Sequence, residues 1–217
     1  MENGAHMFSE TEERNLKYIT ELYGKVKELI IFCEENQEEF KTNLHIVKEL
    51  RDAFDHLMRV FAVKLELKEG RGNGYIQTSL DKVLGHVFRA GYDTLDFATI
   101  ILRDKINKEV SDFSPSAIQA SIPNYYSEMR PSIESMTADI IKLRNNKDIA
   151  QPSPDLFSEY FKNVIKLQEI FKQIVIAKPS LIEYANKERK RKWSDFSIQI
   201  VVGIIIGAIL VWAGLSG

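Results

Sequence analysis

Residues that carry covalent or metal chemistry are scarce in this chain. Cysteine occurs once in 217 residues, which excludes an internal disulfide and any multi-cysteine metal site and accords with a reducing compartment. Cys33 falls at helical spacing with Val26 and Ile30 and reads as core. There is no His-Glu-x-x-His pair, no serine elbow and no phosphate-binding glycine loop. Gly70, Gly72 and Gly74 lack the lysine and the preceding strand that such a loop needs. No metal or cofactor is expected. Charge of one sign is lacking too: 29 Lys and Arg stand against 31 Asp and Glu, a net charge of −2, so bulk electrostatic capture of nucleic acid is not indicated. No run alternates with period two, which argues against a sheet. No stretch ahead of the first helix reads as a secretory signal.

Present instead is helical periodicity over nearly the whole length, in a composition of 44% hydrophobic and 28% charged residues. That suffices for one globular domain with a real core. The first helix opens at Ser9, three residues before Glu12 in a capping-box arrangement, and runs to about Cys33. Its stripe is Leu16, Ile19, Leu22, Tyr23, Val26, Leu29, Ile30 and Cys33. A second helix spans about Gln37 to Leu67, with Phe40, Leu44, Val47, Leu50, Phe54, Leu57, Met58, Phe61 and Leu65 read as its inner face. A third runs from about Ser79 to Val110, its Gly85 and Gly91 marking close approach of neighbouring helices. Residues 111–123 read as a loop with one short helical turn. A fourth helix covers Asn124 to Lys147 with a kink at Pro131, and a fifth starts at Ser153-Pro154-Asp155 and ends or bends at Pro179. The expected fold is all-α, a bundle of about five long helices.

One long apolar run closes the sequence. Phe196 to Leu215 contains no charge, and twenty residues at ~1.5 Å rise cover about 30 Å, the thickness of a bilayer's hydrocarbon core. It reads as a transmembrane helix. Lys187, Arg189, Lys190, Arg191 and Lys192 precede it directly, which sets the domain before it in the cytoplasm. Trp193 and Trp212 fall near the two interfaces. The expected organisation is a tail at 1–8, a cytoplasmic bundle at 9–179, a basic stem at 180–195 and a single membrane pass at 196–215. Gly203, Gly207 and Gly214 share one face, where another helix could approach closely, so membrane lipid and a second copy of the chain are expected partners.

The sharpest motif is Arg51-Asp52-Ala53-Phe54-Asp55-His56 on the second helix. It resembles the signature of the HEPN superfamily, an arginine followed by a polar residue and, a few positions on, a histidine, within a compact helical bundle. Arg51, Asp52 and His56 match that signature position by position. The resemblance implies metal-independent RNA cleavage across a dimer, with histidine handling protons and arginine steadying phosphate charge. Membrane-attached members serve in antiviral defence.

Helical geometry separates Arg51 from His56 by roughly 140°. The stripe read above puts Arg51 inward beside Val47 and Met58, and His56 outward with His45, Asp52 and Arg59. A second pattern is the recurrence of His56-Leu57-Met58-Arg59 thirty residues later as His86-Val87-Phe88-Arg89. Each pair sets a histidine one turn before an arginine, a spacing that suits an anion. Asp93 and Asp96 offer the alternative, a structural network with Arg51, Arg89 or His86. Two functions stand open on these residues: a membrane-anchored, HEPN-like ribonuclease in a defence or toxin setting, and a non-catalytic anchored module that senses a partner and oligomerises in the membrane or perturbs it.

Overall fold

The computed structural model describes residues 8–37, 43–69, 74–146 and 153–215. They form α1 (Glu10–Asn36), α2 (Leu44–Lys64), α3 (Tyr75–Ser111), α4 (Pro115–Ser121), a π-helical turn (Tyr125–Met129), α5 (Arg130–Asn146) and α6 (Pro154–Leu215). No strand occurs among the described residues. Phe40, Gly70 and Gly72 lie outside them. The chain divides into two compact units, residues 1–105 with 133–169, and residues 106–132 with 170–217.

In the first unit, α1 starts as its capping box requires: the Ser9 amide donates to Glu12 Oε2 at 2.8 Å and the Glu12 amide to Ser9 Oγ at 3.4 Å. Ile19, Leu22, Val26, Leu29 and Cys33 are buried along one face. Leu80, Val83, Val87 and Phe88 of α3 are buried as well, and so are Phe157, Tyr160 and Val164 of α6. Phe157 packs edge-on to Phe88 at 5.6 Å and to Tyr92 at 5.4 Å. Gly91 makes this junction possible. A Cβ there would stand 2.7 Å from the Phe157 ring and 2.9 Å from Val26. Gly85 differs from expectation, since a Cβ there would meet only Arg89 of its own helix, at 3.6 Å.

The phase of α2 also differs. Its buried residues are Ile46, Glu49, Ala53 and Val60, whereas Leu44, Val47 and Phe54 are 80%, 47% and 60% exposed. The helix is turned so that the stripe with the larger side chains faces solvent. Arg51, expected inside, is outside, and His56, expected outside, is half-buried.

In the second unit, Ser114 caps α4 by accepting from the Ala117 amide, and Ala117 and Ile118 are buried. The expected kink at Pro131 is replaced by the π-helical turn, in which the Met129 amide donates to the Asn124 carbonyl at 3.1 Å. Pro131 then occupies the first turn of α5, where its missing amide costs little. Pro179 neither ends nor divides α6, which is continuous to Leu215. Buried Ile174 and Leu181 hold it on either side of the proline, and Lys178 Nζ lies 2.6 Å from Glu109 Oε2. Ser114 donates to Glu188 at 2.7 Å. Beyond Glu188 every side chain described is exposed. Among the described residues α6 is the one helix long and apolar enough to cross a membrane, and none of its apolar window is buried.

Candidate functional site

The inward stripe of α2 runs Ile46, Glu49, Ala53, His56 and Val60, at intervals of three, four, three and four. Facing it on α3 is the His86-Val87-Phe88-Arg89 turn. Glu49, only 8% exposed, accepts from Arg89 Nε at 2.7 Å and lies 2.8 Å from His86 Nδ1. Arg89 Nη2 stands 2.6 Å from that same ring nitrogen. One nitrogen cannot serve both neighbours in one protonation state: neutral at Nδ1, His86 accepts from Arg89, and protonated there it donates to Glu49. The His56 ring completes the cluster, stacked on His86 at 5.4 Å with 22° between planes.

Electrostatics follow from this packing. Burial alone would raise the Glu49 carboxyl, but hydrogen bonds from Arg89 and His86 outweigh it and hold the group below its ordinary value. His56 is held below its ordinary value by burial and by the nearby charges of Arg59, His86 and Lys82, against a weaker opposite pull from Asp55. Neutral imidazole is thus the favoured form of His56.

The other expected residues lie elsewhere. Arg51, its side chain 70% exposed, donates from Nε and Nη2 to Asp52 Oδ1 at 3.1 and 2.8 Å. Arg59 pairs with Asp55 on its own helix. Asp93 is bound to His45 at 2.7 Å, and Asp96 to Tyr160 at 2.7 Å and Arg144 at 3.1 Å. In place of the expected network of Asp93 or Asp96 with Arg51, His86 or Arg89, Arg51 pairs with Asp52, Asp93 with His45, Asp96 with Tyr160 and Arg144, and His86 and Arg89 with Glu49. Of the two His-x-x-Arg repeats, only His86 and Arg89 act on one partner; His56 turns to α3 while Arg59 points away.

Glu49 is the residue that sequence reasoning missed. Its signal was the seven-residue spacing to His56, which sets both on one face, and the histidine and guanidinium one turn apart at His86 and Arg89, which suit an acid opposite. Among the described residues no three His, Cys, Asp or Glu side chains converge as metal ligands. The concavities beside α2 include a polar one bordered by Asp55, Arg59, Lys68 and Tyr75, an apolar groove of about 320 Å³ along Ile19, Tyr23, Leu50, Phe54 and Val83, and a small apolar one by Ile30, Cys33, Ile46, Val47 and Thr94. At the far end of α6, a Cβ on Gly203, Gly207 or Gly214 would meet nothing within 4 Å.

No family model, curated protein or solved structure matches the chain.

Proposed function

We propose that the chain is a membrane-anchored helical module, held by a single pass at 196–215 with its bundle on the cytoplasmic side. The observation that carries this reading is the course of α6, whose apolar end leaves all packing and carries no charge after Asp195. The core helix of a soluble domain would be buried there; this one exposes Ile198, Val201, Ile204, Ile205 and Val211 by half or more. Such a surface is stable in hydrocarbon and costly in water. The five bases at 187–192 support the cytoplasmic orientation of the bundle. The open glycine face supports association of anchors within the bilayer. The test is alkaline extraction of membranes from cells making the full chain or a chain stopped after Lys192, with protease applied from either side. The full chain remains with the membrane and is cut from the cytoplasmic side; a full chain released by alkali, or cut only from the opposite side, contradicts the reading.

A second reading, RNA cleavage of HEPN type, is favoured by one observation: His56 is held neutral and half-exposed while the Arg51 guanidinium stands free in solvent apart from Asp52. On this reading the two residues act from different protomers. Loss of RNA on expression that disappears in both Arg51→Ala and His56→Ala supports it. Undiminished RNA loss in both variants removes it.

A further inference from the structure

Opposite the Glu49 cluster, α2 shows solvent a second stripe: Leu44, Val47, Arg51, Phe54 and Met58, at intervals of three, four, three and four, continued three residues on by half-buried Phe61. It lies about 150° around the helix from the inward stripe. Alternating intervals of three and four are the spacing by which two helices mesh knobs into holes. The inward stripe fixes α2 to its own chain; of the outward one Phe61 packs edge-on against Phe8 at 6.0 Å, while Leu44, Val47, Phe54 and Met58 keep large apolar areas in solvent. The outward members are large and apolar, apart from Arg51, which the pairing with Asp52 neutralises.

We propose that this stripe is a self-association seam, on which α2 of a second copy of the chain packs antiparallel. The charges choose both occupant and direction. With Arg51 opposite Phe54 of the second copy, the layers become Leu44 on Phe61 and Val47 on Met58, and the two-fold repeats each. Lys48, which flanks the stripe and is exposed, then comes beside exposed Asp55 of the second copy, a carboxylate it shares with Arg59 of that copy's own helix, and the same arrangement forms again on the other side of the axis. The guanidinium of Arg51 enters bound to Asp52 and presents its plane to the Phe54 ring, an attraction that strengthens as water leaves. A parallel pairing would set Arg51 on Arg51 and give Lys48 no acid. Beside the stripe, the apolar groove at Leu50 and Leu57 brings the same leucines of the second copy together. The seam is independent of the membrane anchor. It also keeps His56 against α3, so it does not join Arg51 and His56 into one site.

The test uses the full chain in detergent micelles and in lipid vesicles, with Val47→Cys plus Met58→Cys and each single replacement, under mild oxidation. Native Cys33 can stay, because burial pushes its thiol up to about 12 and keeps it unreactive. The double variant is expected to form a covalent dimer at least tenfold more than either single variant. Adding Phe54→Glu, at a position exposed enough to spare the fold, abolishes it, whereas adding Gly203→Leu with Gly207→Leu leaves it intact. A double variant that stays monomeric, single variants that cross-link as well as the double, or a cross-link lost with the glycine face each overturn the seam.

Discussion

Helix α1 buries Ile19, Leu22, Val26, Leu29 and Cys33, its most apolar face, whereas α2 buries Ile46, Glu49, Ala53 and Val60 and leaves Leu44, Val47 and Phe54 in solvent. Both pack on α3, and α3 offers them different surfaces. Toward α1 it presents Val83, Val87 and Phe88, which a hydrocarbon stripe satisfies. Toward α2 it presents His86 and Arg89, whose polar nitrogens meet the Glu49 carboxylate; a half-buried guanidinium left without an acid would be costly. The inward phase of a helix is thus set by its neighbour's needs as well as by its own hydrophobic count.

This contrast can be broken most forcefully at α1. Leu29→Ala, at a side chain 1% exposed, is expected to cost about 2–5 kcal/mol, while Phe54→Ala on α2 changes monomer stability by about 0.5 kcal/mol or less. Denaturant unfolding of the full chain measures both, and equal losses would dissolve the distinction. Gly91→Ala, which forces a methyl against Phe157 and Val26, is expected to cost about 1–3 kcal/mol by overpacking and to perturb the near-ultraviolet signal of Tyr92. Glu49→Ala orphans Arg89 and His86 and is expected to cost a comparable ~1–3 kcal/mol. Glu49→Gln retains an acceptor and loses less.

Acid provides a gentler probe of the α2 face. His56 is held below its ordinary 6.5 and Glu49 below its ordinary 4.5. Each therefore contributes stability that is complete above its ordinary value and lost as pH falls through its folded value. Unfolding midpoints measured from pH 7 down to pH 4 should decline, first through His56, and His56→Gln should remove the earlier part of the decline while leaving the later part. A midpoint that rises over that range contradicts the assignment. The most local effect belongs to the α1 cap: Ser9→Ala is expected to cost about 1 kcal/mol or less, seen as faster amide exchange in the first turn alone.

Much of the architecture was legible because local chemistry dictates it. Ser9 with Glu12 and Ser153 with Pro154 start helices wherever the chain goes, and the charge-free run from Phe196 has no soluble face to hide. The all-helical class, the α1 face and the close approach at Gly91 follow in the same way. Pro179 was misread because a proline's penalty can be met by packing on both sides, here at Ile174 and Leu181. The face of α2 was misread for a deeper reason. Counting apolar side chains favours Leu44, Val47, Phe54 and Met58, while the true inner face has only two large apolar residues, Ile46 and Val60, with small Ala53 and two polar residues, Glu49 and His56, between them, and the polar pair is meaningful only once His86 and Arg89 stand opposite. Pairing of that kind is tertiary information. The Arg51 to His56 motif suffered accordingly: its members were located correctly on one helix and assigned to the wrong sides of it.

The claim on which this account turns is the rotation of α2, and adjacent residues report it directly. Ala53 is 5% exposed and Phe54 60% exposed. In the native full chain, diluted until monomeric, Ala53→Cys and Phe54→Cys are to be compared for their rates of reaction with a small water-soluble thiol reagent. Phe54→Cys is predicted to react at close to the rate of an unfolded cysteine, and Ala53→Cys at least a hundredfold more slowly. A fast Ala53→Cys beside a protected Phe54→Cys would turn the helix back, return Arg51 to the interior, and contradict both the Glu49 cluster and the outward seam.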